Sequence, residues 1–500
     1  MSWKKVVSID ELNRNKRALF KEGSKQIVVF SYSHEIYALD NRCPHQGYPL
    51  YEGSLDSDRV LTCHWHNWKF DLKSGKCISG GDSVRTYPTK REDGFIWVNL
   101  SSPSKEEIQK QILEGLKIAF DDRKYGRLSR EIAKLYFNGI DPVTSLQKAI
   151  EWSYEKLKEG MGEGYCAASD WLLLYSQESG NFENQLICLM EAVDGISHEV
   201  FRKGVTLSLP VILSAKREGS HFSPTEFLGA IEKEDEAQAI AQFSFAFDHG
   251  LVFSDLEETL YLAALAHNYE GGKALIGLQK IDIFCKHFGD EIVRPLLYAF
   301  VRSLCHLRRE ELNPTFSHPK AGVSHPEAQP KDLFQQLLQG IVKNILYFDL
   351  GYQFSSDKPV SQNVDLLDVS GTLAVADAVF VTCQKYPKFS MKALEQLSYF
   401  FQKYTSFCDA SLNASEWNVS DEDQFWKESL EKVLDHGIAE PSTVASRLSA
   451  YLAVKELKKH VSSADLLSSL NRILNIPLKE KHTRRKARQN IELVSKDFKG

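Results

Sequence analysis

Short blocks of hydrophobic residues, separated by glycine-rich polar turns, mark the first hundred residues of the chain. The strand-like segments are 26–32, 35–40, 59–62, 68–72, 84–90 and 95–100. Turn glycines stand between or beside them at Gly47, Gly53, Gly75, Gly80, Gly81 and Gly94. Ser33 and His34 separate the first two segments, which favours a hairpin there. The pattern predicts a small, antiparallel all-β domain.

The hydrophobic period changes from two to about four shortly after residue 100. Ser104 and Glu107 have the spacing of a capping box. Apolar residues then recur every fourth position at Ile108, Ile112, Leu116 and Phe120, as on one face of a helix. This change indicates a domain boundary at 101–104.

Helical patterns continue through most of the remaining chain. Ser223 followed by a proline and a glutamate predicts another helix start. Segments 186–193, 257–266, 333–348 and 372–384 are rich in Ala and Leu and predict buried helices. We therefore predict a multidomain protein with an all-β domain at 1–102, a large all-α domain at 103–478 and a basic tail at 479–500.

One segment interrupts the helical region. Residues 314–330 contain four prolines and a repeated Ser-His-Pro, so they cannot be helical throughout. We predict a long loop there and treat it as a candidate break between helical subdomains.

Composition and charge restrict the class of protein. Among 500 residues, 43% are hydrophobic and 26% are charged, which is enough to build ordinary cores. The net charge of −6 makes a nucleic-acid partner unlikely as a property of the whole chain. The tail at 479–500 carries 8 Lys or Arg against 3 Asp or Glu, and we favour a solvated helix end there over a binding surface for anions.

The sequence also predicts where the protein resides. We find no apolar run near the length that a membrane span needs, and no apolar stretch follows the first lysines. Nine scattered cysteines do not suggest a disulfide framework. We therefore expect a cytoplasmic protein without a membrane span.

Two short motifs in the β-rich region contain the residues with the most distinctive chemistry. They are Cys43-Pro44-His45 and Cys63-His64-Trp65-His66, separated by seventeen residues. Two thiolates and two imidazoles could hold either tetrahedral zinc or a two-iron cluster. The spacing by itself does not choose between these two metal groups.

Residues 43–81 resemble the Rieske [2Fe-2S] ferredoxin family over many positions in register, and the resemblance extends over about residues 3–100. The matching features are the Cys-Pro-His loop, the following Gly-x-Pro-Leu, the strand into Cys63 and the second loop that leads to Phe70-Asp71-x-x-x-Gly75. The resemblance implies an antiparallel β-sandwich with a [2Fe-2S] cluster on two loops. It further implies that Cys43 and Cys63 bind one iron and that His45 and His66 bind the other. The extra loop cysteines of the high-potential branch are absent, so the chain is similar to the ferredoxin or oxygenase branch.

Three neighbouring side chains receive more ordinary interpretations. His64 is interpreted as a solvent-exposed side chain and not as a ligand. Cys77 is interpreted as a structural thiol. Trp65 and Trp68 are expected to shield the cluster.

The helical region gives no comparable motif. A Rieske oxygenase would carry a pair of histidines about five residues apart, and residues 101–500 contain no such pair. Lone histidines on helices are mostly structural. Whether a second metal site exists among His198, His221, His249, His267 and His306 stays open from the sequence.

Two functions follow for testing. In the first, the cluster relays single electrons from an external reductase to an oxidoreductase site in the helical domain, which could be monooxygenase-like, or to a partner protein. In the second, the protein is a non-enzymatic redox sensor or interaction scaffold whose helical domain binds a partner. The catalytic residues, substrate and oligomeric state are not evident from the sequence.

Overall fold

The computed structural model forms two compact units. The first contains Met1–Ser145 together with Arg485–Gly500, and the second contains Leu146–Arg484. The structure describes residues 3–101, 103–157, 160–203, 222–266, 272–306, 329–352, 364–436, 441–461, 463–476 and 483–495.

The first unit begins with antiparallel strands. They are β1 (Trp3–Ser8), β2 (Arg17–Glu22), β3 (Lys25–Tyr32), β4 (Glu35–Asp40), β5 (Ser54–Leu55), β6 (Val60–Thr62), β7 (Lys69–Asp71), β8 (Cys77–Ser79), β9 (Thr86–Tyr87), β10 (Thr89–Glu92) and β11 (Phe95–Asn99). They form three sheets with the orders β1-β11-β10, β2-β3-β4-β9 and β5-β6-β7-β8. A short helix, α1 (Ile9–Asn15), follows β1.

Strand β3 separates two hydrophobic cores because its side chains alternate between its faces. Val28 and Phe30 belong to the core that also contains Cys43 and Cys63. Ile27 and Val29 belong to the second core, which also contains buried residues of β1, α1 and β11. The continuous apolar run of β3 therefore reflects burial on both faces, and one of these faces supports the cysteine-bearing loops.

The predicted β-domain is confirmed, and the structure adds elements that the pattern did not indicate. Each predicted strand segment contains an observed strand, and Ser33 and His34 adopt left-handed conformations in the tight turn between β3 and β4. Strands β1, β2, β5 and β8 and helix α1 were missed. Strand β2 contains only three apolar residues among six, and β5 is two residues long, so neither carries a clear alternation signal.

The first unit continues beyond the sheets. Helix α2 (Lys105–Asp121) begins with the predicted capping box at Ser104, and α3 (Tyr125–Phe137) follows it. The predicted domain ends at residue 102, whereas the compact unit runs to Ser145 and includes the chain from Arg485.

Helices make up most of the second unit. They are α4 (Thr144–Ser153), α5 (Glu163–Gln177), α6 (Phe182–Lys203), α7 (Pro224–Glu232), α8 (Glu236–Asp248), α9 (Phe253–Ala266), α10 (Lys273–Phe288), α11 (Asp290–His306), α12 (Pro330–Leu346), α13 (Leu366–Lys385), α14 (Ser390–Thr405), α15 (Glu422–Leu434), α16 (Pro441–Leu457), α17 (Ala464–Leu474) and α18 (Thr483–Ser495). The first of them, α4, begins two residues before this unit, and the last, α18, lies mostly in the first unit. All four predicted buried helices and the start at Ser223 are confirmed. Most of the predicted loop at 314–330 lies outside the described residues, and Pro330 begins α12.

The carboxy-terminal tail differs from a freely solvated helix end. Residues 483–495 form α18, which buries Ala487, Asn490 and Val494. The Asn490 side-chain amide donates to Ser129 Oγ of α3 at 3.0 Å. The basic residues of α18 therefore belong to a helix that packs within the first unit.

Helix α13 is the one described helix that has the length and composition of a membrane span. Its 20 residues, Leu366–Lys385, are long and apolar enough for a span by length and composition. In the fold, 67% of its most apolar window is buried, and core helices of soluble proteins pass the same test. Polar residues such as Asp377 interrupt its apolar run, so the sequence indicated a buried helix here and not a span.

Candidate metal centre

Two loops of nearly identical construction carry the predicted site residues. In the first, the Cys43 amide donates to Tyr48 O at 2.8 Å, and the Gly47 amide donates to Cys43 O at 2.8 Å. In the second, the Cys63 amide donates to Trp68 O at 2.8 Å. The same spacing of backbone bonds gives both loops the same shape.

The fifth residue of each loop has a left-handed backbone. Gly47 has φ +78° and Asn67 has φ +57°. Glycine and asparagine are the residues that adopt this conformation most readily. The Asn67 backbone amide donates to Cys63 O at 3.0 Å, and the Gly47 backbone amide makes the equivalent bond to Cys43 O in the first loop. The sequence thus supplies the required residue type at both turns.

The two cysteines lie next to each other beneath the loops. Cys43 and Cys63 are both buried in the first hydrophobic core. Burial, helped by the neighbouring Cys63 sulfur, raises the pKa of the Cys43 thiol to about 12, against an opposing hydrogen bond from the His45 backbone. A thiolate pair in such a place needs a cation beside it, and bound metal supplies one.

The two imidazoles also form a pair. The Nδ1 atoms of His45 and His66 are 3.2 Å apart, and the rings are edge to face at 83°. Two ring nitrogens that bind one tetrahedral metal ion at about 2.05 Å lie about 3.3 Å apart. The geometry therefore fits two imidazoles that share one metal position through Nδ1.

The donors form two pairs and not one four-ligand shell. Among the described residues, no three His, Cys, Asp or Glu side chains converge on a position for a single metal ion. A tetrahedral zinc site requires such convergence, whereas a two-iron cluster takes its ligands in two pairs. The donor set thus fits a two-iron cluster better than zinc.

Aromatic rings surround the histidines unequally. Trp68 stacks on His45, with ring centroids 4.7 Å apart and planes at 16°. Trp65 lies against His66 at 4.8 Å and is 52% exposed. His64 is exposed, in agreement with its interpretation as a solvent-facing side chain. Trp68 therefore covers the His45 side, and the His66 side faces solvent.

We expect Gly80→Ala to loosen this arrangement. Gly80 has φ +138°, and an added Cβ would lie 2.4 Å from the indole ring of Trp68. The ring must move away from its position on His45, because a contact of that length is not tolerated. Gly94→Ala is the matched control, since Gly94 has φ +77° with no atom within 4 Å of the added Cβ. Denaturant unfolding should show Gly80→Ala to be less stable than Gly94→Ala by about 1–2 kcal/mol. Equal stabilities would contradict this close contact.

The other candidate histidines do not assemble in the described structure. His249 ends α8 and its Nδ1 pairs with Phe245 O at 2.8 Å. His306 ends α11 and its Nε2 pairs with Glu236 at 2.7 Å. His198 lies within α6, while His221 and His267 lie outside the described residues. A second metal site among these residues stays untested.

One buried histidine escaped the sequence reasoning. His436 is 1% exposed; its Nδ1 pairs with Val433 O at 2.9 Å, and its Nε2 lies 3.2 Å from Glu191. Burial opposes its protonation, but Glu191 outweighs burial and raises the pKa of His436. Its sequence context is an ordinary helix end, so no local signal marks it.

Comparison with known proteins identifies the β-rich region. The Rieske [2Fe-2S] domain family matches residues 2–88. The chain is 36% identical over 85 residues to the 3-phenylpropionate/cinnamic acid dioxygenase ferredoxin subunit of Escherichia coli K12, which covers 17% of this chain and 80% of that protein. The chain belongs to the Rieske [2Fe-2S] family. The Rieske domain binds a [2Fe-2S] cluster and serves electron transfer, as the sequence predicted.

Other relatives agree on the extent of the Rieske domain. The Photorhabdus laumondii ferredoxin subunit of the same dioxygenase is 34% identical over 82 residues, covering 16% of this chain and 78% of that protein. The ferredoxin component of an alkene monooxygenase system in Xanthobacter autotrophicus is 29% identical over 102 residues, covering 20% of this chain and 84% of that protein. These matches concern the Rieske domain and carry no information about the helical region.

Proposed function

We propose that the Rieske domain holds its cluster through Cys43 and Cys63 on one iron and through His45 and His66 on the other. The observation that carries this assignment is the 3.2 Å separation of the two imidazole Nδ1 atoms beside a buried cysteine pair. All four side chains come from two loops of equal construction, so the backbone holds both pairs in place.

The ligand types bear on the redox chemistry that the cluster would supply, which is reversible uptake of one electron. Neutral imidazoles in place of two thiolates make the site less negative and raise its reduction potential. Cys43 and Cys63 are buried, which keeps water from the sulfur ligands. His66 is exposed, so its ring offers a short path for an electron between the site and a partner.

We further propose that the electrons come from an external reductase. The relatives are a ferredoxin subunit of a dioxygenase and a ferredoxin component of an alkene monooxygenase system, so in both the ferredoxin is one component of an oxygenase system. The acceptor would be an oxidoreductase site in the helical region or a partner protein. The non-enzymatic sensor stays an alternative prediction, and the experiment below does not depend on the choice between them.

Metal and sulfide analysis of the purified full-length protein tests the proposal. We expect two irons and two acid-labile sulfides per chain, together with the visible and electron paramagnetic resonance spectra of a mixed-ligand cluster after reduction by dithionite. Protein isolated from cells grown with excess zinc provides a control for metal exchange. One zinc per chain with no iron would contradict the proposal.

A further inference from the structure

The imidazole of His45 rests on a ring that the chain holds in place. Trp68 stacks on His45, and the backbone at Gly80 and Gly81 approaches the same indole. An added Cβ would lie 2.4 Å from the ring at Gly80 and 3.0 Å from it at Gly81. The position of this backbone therefore limits where Trp68 can lie, and through Trp68 it limits His45.

Asp82 attaches that backbone to α3. Its carboxylate is 2% exposed, with Oδ1 at 2.6 Å from Arg127 Nε and Oδ2 at 2.6 Å from Arg130 Nε. Burial opposes ionisation of Asp82, but Lys134, Arg130 and Arg127 outweigh it and hold the pKa of the carboxyl below its usual range. Breaking the ion pairs between this buried carboxylate and the two guanidinium groups is costly, because each charge would lose its partner.

Helix α18 packs against the first loop. Leu493 Cδ1 lies 3.6 Å from the point where a Cβ on Gly47 would stand. Lys486 Cε and an Arg130 guanidinium nitrogen lie 3.6 Å and 3.7 Å from the corresponding point at Gly126. The two cations thus meet on one side of α3.

Both cations lie on the His45 side of the site. Arg130 holds Asp82, which follows the backbone that packs on Trp68, and Trp68 stacks on His45. Lys486 lies beside Arg130 on α18, the helix whose Leu493 reaches the first loop. Positive charge on this side favours any negative charge added at the site. Reduction of the cluster adds one negative charge to the site.

We infer that α3 and α18 form a wall on the His45 side of the cluster site. Asp82 is a positioning residue that ties the backbone beneath Trp68, and through it His45, to this wall. Lys486 keeps positive charge in the wall, and His66 is left as the edge for electron exchange. This inference rests on the ligand set proposed above. The reaction concerned is uptake of one electron from a reductant such as dithionite or a reductase, with no bond made or broken in the protein.

Redox titration of the full-length protein, followed by visible absorbance, tests the charge of the wall. Lys486→Gln should lower the equilibrium constant for cluster reduction three- to tenfold, where tenfold corresponds to about 59 mV for one electron. Lys486→Arg should restore the wild-type value, because it keeps the charge. Lys110→Gln removes an exposed charge from α2 in the same unit and should change the constant less than twofold. A Lys486→Gln shift no larger than that of Lys110→Gln would overturn the inference.

Hydrogen exchange tests the positioning role of Asp82. In Asp82→Asn, peptides containing residues 43–48 and 63–68 should exchange at least tenfold faster, because Asp82 acts through Trp68 on His45, whereas those containing β3 should keep their rate. Equal acceleration of β3, or no change in the two loops, would contradict the wall. If Asp82→Asn does not fold, the Lys486 series decides alone. Wild-type protein without a cluster would refute the proposed ligands, while a normal cluster with unshifted variants would refute the wall alone.

Discussion

Cys63→Ser produces a full-length protein without a stable [2Fe-2S] cluster. Cys63 lies buried beside Cys43, and its amide and carbonyl groups bond within its own loop. A serine hydroxyl keeps the shape of the loop but is a much weaker iron ligand than a thiolate, because soft thiolates are what iron–sulfur clusters select. We expect more than a tenfold loss of iron and sulfide per chain, with the helical circular dichroism unchanged.

The matched control is Cys77→Ser in the same domain. Cys77 is half-buried in β8 and packs against the same hydrophobic core, but it lies outside both loops. Its backbone amide donates to Ser83 Oγ at 3.1 Å, and its thiol is not one of the proposed ligands. Cys77→Ser should retain two irons per chain. Full iron content in Cys63→Ser, or cluster loss in Cys77→Ser, would contradict the ligand assignment.

Asp377→Asn stabilises the helical unit near neutral pH. Asp377 lies in α13, is 7% exposed and accepts a hydrogen bond from the Gln279 amide at 2.6 Å. Its second oxygen is buried and has no hydrogen-bond partner among the described residues. Burial raises the pKa of Asp377 to about 6, against the opposing effects of Lys280 and Gln279. Ionisation of this carboxyl therefore lowers the stability of the folded protein.

The sign of the pH dependence follows from the raised pKa. Because the folded pKa exceeds the unfolded value of 3.8, the contribution of Asp377 to stability is fully present below about pH 4 and is lost as pH rises through about 6. A shift from 3.8 to about 6 corresponds to about 3 kcal/mol. Asp377→Asn cannot ionise, so it should gain up to about 3 kcal/mol over wild type at pH 7 and little at pH 4.

Denaturant unfolding at a series of pH values, followed by circular dichroism, measures this difference. Asp282→Asn is the control, because Asp282 lies on α10 and already pairs with Lys286 at 2.7 Å. Its neutralisation removes an ion pair and should give no gain at pH 7. A pH-independent difference between Asp377→Asn and wild type would contradict the raised pKa.

Local patterns predicted much of the fold because their physical causes are local. The apolar run of β3, the turn at Ser33 and His34, and the capping box at Ser104 each act within a few residues. The two loop motifs also contain their own geometry, since each cysteine bonds to a residue four or five positions later. Recognition of the Rieske domain therefore needed no tertiary information.

The charged groups around the site show where this reasoning stops. Asp82 pairs with Arg127 and Arg130, which are 45 and 48 positions later, and nothing in the sequence near any of them indicates the pairing. The packing of α18 onto the first unit, and the burial of His436, likewise depend on partners far along the chain. Side chains of one type are interchangeable in a sequence pattern until packing selects a partner.

The amino-acid sequence alone determined the β-rich domain, the helical region and the four candidate ligands of the cluster. Those features follow from hydrophobic period, turn-forming residues and motif spacing, which are properties of short segments. Only the tertiary structure decided that α3 and α18 lie with the Rieske domain and that Trp68 stacks on a half-buried His45 while His66 is exposed. The reason is that burial and ion pairing depend on which distant segments meet, and that choice minimises the free energy of the whole fold rather than of any single segment.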